Sequence, residues 1–102
     1  MEDTIYDKKS LKLFTCKNPD WKSLAKDCVC FANAKGGIIA IGIENNEELP
    51  HANQRIPEGL DETIRKRISE LTINVGIAVS KETGQNRGEW IKVKVFASQS
   101  TI

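Results

Sequence analysis

The stretch "CFANAKGGIIAIGIENN", residues 30–46, decides how the chain is read. An apolar run meets a double glycine and leaves it as an isoleucine-rich run. Upstream, Trp21, Leu24, Ala25, Cys28, Val29 and Ala32 recur at spacings of three and four, which places them on one face of an α-helix. Lys22, Lys26 and Asp27 fall off that face. Pro19 breaks whatever precedes it, and Asp20 is a good helix N-cap. The helix should stop near Ala34 or Lys35, with Gly36 in the left-handed capping position. Downstream, "IIAIGI", residues 38–43, is apolar on both faces, the mark of a central strand covered on both sides. Ala40 and Gly42 share a face, and small residues there admit a close backbone approach.

Outward from this centre the pattern continues. Residues 10–16, "SLKLFTC", carry β-formers and read as a first strand. Residues 44–59, "ENNEELPHANQRIPEG", hold two prolines and little apolar content; a loop this long in a small domain is usually functional or mobile. Asp61 can cap a second helix with Ile64, Ile68 and Leu71 on its apolar face and Arg65, Lys66 and Arg67 on its polar face. "VGIAVSK", 75–81, and "EWIKVKVFA", 89–97, flank "ETGQNRG" as a hairpin. In the last strand Ile91, Val93, Val95 and Ala97 face one way, and Trp90, Lys92, Lys94 and Phe96 the other. The expected fold is α/β of the α+β type, in the order βαβαββ: a mixed four-stranded sheet with two helices mainly on one face.

The 102 residues suit a single domain, 1–102, with a modest core. Hydrophobic residues make up 39% and charged residues 28%, which excludes a disordered chain. With a net charge of +1 no global field draws it to nucleic acid or membrane, so a basic site must be a local patch. No apolar stretch is long enough to span a bilayer, and "MEDTIYDKK" lacks the apolar core of a signal peptide. Three cysteines do not form a disulfide framework. The expected location is cytoplasmic. The strand pattern runs almost to Ile102, which leads us to expect a fragment of a longer chain.

The chemistry open to these residues is narrow. His51 is the only histidine, and Cys28 and Cys30, two apart on a helix, diverge. A tetrahedral zinc site needs four converging ligands, so free thiols are the default. Glu44, Glu47 and Glu48 cluster and could hold a divalent metal, although acidic loop residues are usually just solvated. A phosphate loop follows a strand and opens a helix, so that the positive helix end meets the anion. At Lys35-Gly36-Gly37 the order is reversed, and the helix end is the negative one. A structural cap is the simpler reading there, with a ligand loop as the alternative. Aromatic and basic residues interleaved on the last strand could stack bases and neutralise phosphates, or the lysines could only guard an edge. Arg87 at the hairpin tip could reach a groove. Arg65-Lys66-Arg67 could touch a phosphate backbone, or be a solvated helix face.

The segment "CVCFANAKGGIIAIGIENN" resembles the Schlafen core, or Alba-like (divergent AAA), domain. The family motif maps onto Phe31-Ala32-Asn33, Gly36-Gly37 and Ile41-Gly42-Ile43, with order and spacing in agreement over about fifteen residues. The resemblance implies a nucleic-acid-associated domain, most often binding DNA at the N-terminus of bacterial transcriptional regulators. Such regulators are labelled as related to ATP-dependent DNA helicases and carry further C-terminal domains. A metal-dependent ribonuclease activity, as in animal Schlafens, is also implied; apart from the resemblance, self-association into a homodimer is a further expectation. Against the ribonuclease, the glutamate of the family's Glu-x-Lys in the first strand has no counterpart in "LKLFTCK". Taken together, the residues and the resemblance lead us to expect nucleic-acid contact through Lys92, Lys94 and Arg87, with Lys35, Arg65, Lys66 and Arg67 in support. No membrane partner, no cofactor and no catalysis by the domain itself are expected; ATP at Asn33, Gly36 and Gly37, or a divalent metal, is the alternative.

Overall fold

The computed structural model describes residues 5–97. Its elements are β1 (Ile5–Lys9), α1 (Lys12–Thr15), α2 (Trp21–Asn33), β2 (Gly37–Ile41), α3 (Leu60–Leu71), β3 (Ile77–Thr83) and β4 (Glu89–Val95). The strands form one sheet in the order β1-β2-β4-β3. β1 runs parallel to β2, and β2–β4 and β4–β3 are antiparallel. The sheet is mixed and four-stranded, as expected, with β2 and β4 at its centre. Residues 98–102, into which the sequence pattern carries the last strand, lie outside the described residues.

The expected helix forms as read. The Asp20 carboxylate accepts from the Ser23 amide at 3.1 Å, which satisfies one of the open N–H groups of the first turn. Leu24, Ala25, Cys28 and Ala32 are buried. Gly36 closes the helix with φ +81°, and its amide donates to the Phe31 carbonyl at 2.8 Å. A side chain at Gly36 would put its Cβ 2.6 Å from the Val95 carbonyl oxygen. The glycine is therefore required twice, for its backbone angle and for the passage of the end of β4.

Several expectations need correction. Residues 10–16 are not a strand. β1 lies earlier, at Ile5–Lys9, and residues 12–15 make the short helix α1. Leu11 and Phe14, three apart, turn toward the core, where Phe14 is buried and meets Trp21 at a ring separation of 5.6 Å. Tertiary burial of Phe14 overrides the β-propensity of the segment. Among the described residues there are consequently three helices rather than two. In α3 the cap is Gly59 (φ 85°) and not Asp61; Asp61 sits in the first turn, where its charge still suits the helix dipole. The start moves upstream because Leu60 is buried with Ile64 and Ile68, while Leu71 is 43% exposed.

The core lies between the helices and one face of the sheet. Ile39 and Ile41 of β2 and Ile91, Val93 and Val95 of β4 meet Leu24, Cys28, Ala32, Ile64 and Ile68. Each fully buried aliphatic side chain contributes about 1.5–3 kcal/mol. Ala97, expected with this inward set, is exposed, because β4 has ended at Val95. The shortest dimension is 19 Å, that of one helical layer on one sheet.

The long loop is fastened to the hairpin. The Gln54 side-chain amide donates to the carbonyls of Gly42 (2.9 Å) and Glu89 (2.7 Å). The Asn86 amide donates to the Pro50 carbonyl at 2.6 Å, and the Ile56 amide donates to the Glu89 carboxylate at 2.9 Å. These bonds hold residues 50–56 against the ends of β2 and β4. Gly42 (φ 111°) makes room for them, since a Cβ there would lie 2.9 Å from the Gln54 amide nitrogen.

Candidate nucleic-acid interface

The pleat sends alternate residues of each strand to opposite faces. One face supplies the core. The register lays out the other in rows. Tyr6, Ile38, Lys94 and Ala78 stand side by side, then Lys8, Ala40, Lys92 and Ser80, then Trp90 and Glu82. The helices bury the opposite face and, among the described residues, none lies on this one, the open face. Ala40, flanked by Lys8 and Lys92 in the register, is fully covered; lysine stems cover apolar ground while their ammonium groups stay wet.

Lys92 and Lys94 stand where the alternation puts them, on the open face of β4. Beyond Lys94, the Phe96 amide donates to the Gly76 carbonyl at 3.0 Å, and the Lys94 ammonium lies 5.3 Å from the centre of the Phe96 ring. Tyr6 is 50% exposed and Phe96 45%. The sequence reading missed Tyr6 and Lys8 because it placed β1 too late; the alternation Tyr-x-Lys in "IYDKK" was the available signal. The acidic loop borders this edge. The Lys8 ammonium donates to the backbone carbonyl of Glu47. Burial, followed by the charge of Glu48, raises the pKa of the Tyr6 phenol. Glu82 accepts from the Ser80 hydroxyl at 2.7 Å.

The other candidate bases are dispersed. Arg87 sits in the hairpin turn with φ +70°, at the opposite end of β4 from Phe96, and its carbonyl accepts from Arg55 at 2.9 Å. The turn is a type I turn, the Arg87 amide donating to Gly84 at 3.0 Å, followed by a left-handed residue that is usually glycine. Lys35 is exposed between α2 and β2. Arg65, Lys66 and Arg67 lie on α3, in the helical layer. Arg65 pairs with Glu62, and Arg67 lies 3.5 Å from Glu70. Lys9, on the covered side of β1, contacts Asp7 at 2.9 Å and Asp27 at 2.7 Å. Burial alone would lower its pKa; the bonds to Asp27 and Asp7 outweigh that and raise it.

The motif residues serve the fold. Ala32, Gly36, Gly37, Ile41, Gly42 and Ile43 are buried, Phe31 packs against the core, and Asn33 closes α2. With the Gly36 amide given to Phe31, its Cβ direction filled by Val95, and Gly37 already a rung between β1 and β4, the turn joins helix to strand.

Lys12, Glu44 and His51 line a surface recess with Ser10 and Thr15, at the carboxyl ends of the parallel pair β1 and β2. That is the end at which α/β sheets bind ligands. Among the described residues no group of three or more His, Cys, Asp or Glu side chains comes together as a metal site. Among these residues, too, no helix is long and apolar enough to cross a membrane.

The family model described as "Schlafen, AlbA_2" matches residues 2–101. The chain belongs to the Schlafen AlbA_2 family. This confirms the resemblance carried by Phe31-Ala32-Asn33, Gly36-Gly37 and Ile41-Gly42-Ile43, and the AlbA_2 fold is a nucleic-acid-related one. Among solved structures, the DIP2311 protein from Corynebacterium diphtheriae resembles this AlbA_2 domain with a TM-score of 0.60 and 19% identity. The match covers 94% of this chain and 18% of that one. At that identity the likeness concerns the fold alone, and the domain spans less than a fifth of the longer protein. No curated protein matches the chain.

Proposed function

We propose that this AlbA_2 domain is the nucleic-acid-binding module of a transcriptional regulator, with DNA as its target, and that it acts without catalysis of its own. One observation carries the reading: Lys8, Lys92 and Lys94 stand together on a sheet face that no helix among the described residues covers. A chain of net charge +1 has no general attraction for polyanions, so three lysines in two adjacent rows make the local patch such binding requires. Arg87 and Lys35, near the two ends of β4, extend it. Arg65, Lys66 and Arg67 belong to the helical layer and make at most a second contact. Further domains of a full-length protein, and a second copy of this one, complete the partner set.

Fluorescence anisotropy with labelled DNA tests this reading. Four phosphate contacts, from Lys8, Arg87, Lys92 and Lys94, give a log–log salt slope of about −3.6 on a duplex. Affinity then falls about 150-fold between about 50 and 200 mM salt. Absence of binding in low salt at micromolar protein refutes the proposal.

A second reading, a metal-dependent ribonuclease, is favoured by one observation, the recess that brings Glu44, His51 and Lys12 together. Incubation with tRNA and manganese or magnesium tests it. Cleavage that disappears in Glu44→Gln would establish it, and intact tRNA would dismiss it.

A further inference from the structure

We propose that the open face of the sheet receives single-stranded nucleic acid, its bases stacking on Tyr6 and Phe96 and its phosphates held by Lys8, Lys92 and Lys94. This rests on the nucleic-acid reading above and adds the form of the ligand and the role of the aromatics.

The first argument is one of shape. A duplex is read by a helix or a two-stranded ribbon entering a major groove about 12 Å wide. Here the basic residues sit on the broad face of a four-stranded sheet, whose outer strands are about 14–15 Å apart at about 4.8 Å per step. That face cannot enter the groove. Against it a duplex would reach the lysines only by its phosphates and leave both aromatic rings idle.

The second argument concerns the aromatics themselves. Tyr6 and Phe96 are about half exposed, at the same end of the face, Tyr6 on β1 and Phe96 just past the end of β4, with β2 between them. Tyr6 and Lys94 are two strands apart in one row, about 10 Å between backbones, and Phe96 follows Lys94 by two residues. Two rings with cations beside and between them form a stacking platform, which binds bases with little regard to sequence. The Lys94 ammonium already lies over the Phe96 ring. When a base takes that position, the ammonium moves to the adjoining phosphate, so the pair is exchanged without leaving a charge unpartnered. The borders fit a single strand as well: Glu47 and Glu48 flank the Tyr6 edge and would repel the second strand of a duplex extending past it.

The test uses the 102-residue chain and three labelled probes in low salt: oligothymidine, oligouridine of the same length, and a blunt hairpin duplex. The two single strands separate DNA from RNA. We expect at least one of them to bind about tenfold or more tightly than the duplex. Phe96→Ala and Tyr6→Ala should each weaken that binding by about 5- to 150-fold, the range for loss of one stacked base, with duplex binding unchanged. Phe96→Trp should restore it. Both positions are exposed, so circular dichroism should show the variants folded. If the duplex binds as well as either strand, or if both alanine variants bind single strands normally, the single-strand inference falls while the nucleic-acid reading stands. If none of the probes binds, both fall.

Discussion

The junction of α2 with β2 offers a quantitative test, because Gly36 has an internal control elsewhere in the chain. Gly36 and Gly59 have nearly the same positive backbone angle, φ +81° and +85°. A Cβ at Gly59 meets nothing within 4 Å, whereas at Gly36 it lies 2.6 Å from the Val95 oxygen and 3.0 Å from the Ala97 nitrogen. Replacing either glycine by alanine incurs the left-handed penalty of about 1–2 kcal/mol. Only Gly36→Ala must also push the end of β4 off β2, at the cost of an overpacked site, about 1–3 kcal/mol more. The expected losses are about 1–2 kcal/mol for Gly59→Ala and about 2–5 kcal/mol for Gly36→Ala, the latter a large share of the roughly 5–15 kcal/mol of a typical domain. Urea denaturation followed by circular dichroism reads the difference. Gly36→Ala should lower the midpoint by about 1–3 M with an unchanged slope, and Gly59→Ala by about half as much. Equal losses would refute the steric argument and leave only the backbone angle.

Other predictions follow from the same contacts. Arg87→Gly relieves a non-glycine residue at φ +70° and should raise stability by about 0.5–1 kcal/mol, seen as a higher Tm, while weakening nucleic-acid binding. Ile64→Ala empties the centre of the core and should cost about 2–5 kcal/mol in urea. A thiol reagent near neutral pH should modify exposed Cys16 and Cys30 at once and buried Cys28 only on unfolding. Burial, then the charge of Asp27, pushes the Cys28 thiol from 9.0 to about 12, and Lys9 is raised by its carboxylates. Raised values mean the folded state holds these protons longer, so their stabilisation is complete below the unfolded values and is lost as pH rises toward the folded ones. Stability should fall between about pH 9 and 12, and Cys28→Ala should flatten the lower part of that decline, as measured by urea midpoints at stepped pH.

How far the sequence led depended on how directly burial was written in it. α2 and β4 declare themselves because each has an apolar face of regular period, which is what the core demands, and β2 because its whole run is apolar. β1 does not. It is an edge strand carrying Asp7 and Lys9 toward the covered side, where ion pairs take the place of aliphatic packing, so no apolar alternation marks it. The Leu11–Phe14 turn then supplied a false strand, since β-formers in a short segment do not reveal that one of them will be buried by a helix. The binding face was half legible for the same reason. Lys92 and Lys94 alternate with valines within one strand, whereas Tyr6 and Lys8 join them only through a register two strands across. The spacing of Arg65, Lys66 and Arg67 carried no information about the layer they would occupy, and their partners Glu62 and Glu70 emerge only from the helix geometry.

The one-sided packing of the sheet has a consequence for how such a domain can change. Every aliphatic residue of β2 and β4 that the helices require points away from the open face. The residues on that face are bound by few obligations to the fold, apart from Ala40 and the backbone they stand on. Recognition and folding are thus written in alternate letters of the same strands. Selection can rewrite one set, trading a tyrosine or a lysine for another side chain, without erasing the other. One scaffold could in this way be readdressed to new ligands by substitutions that barely alter its melting curve.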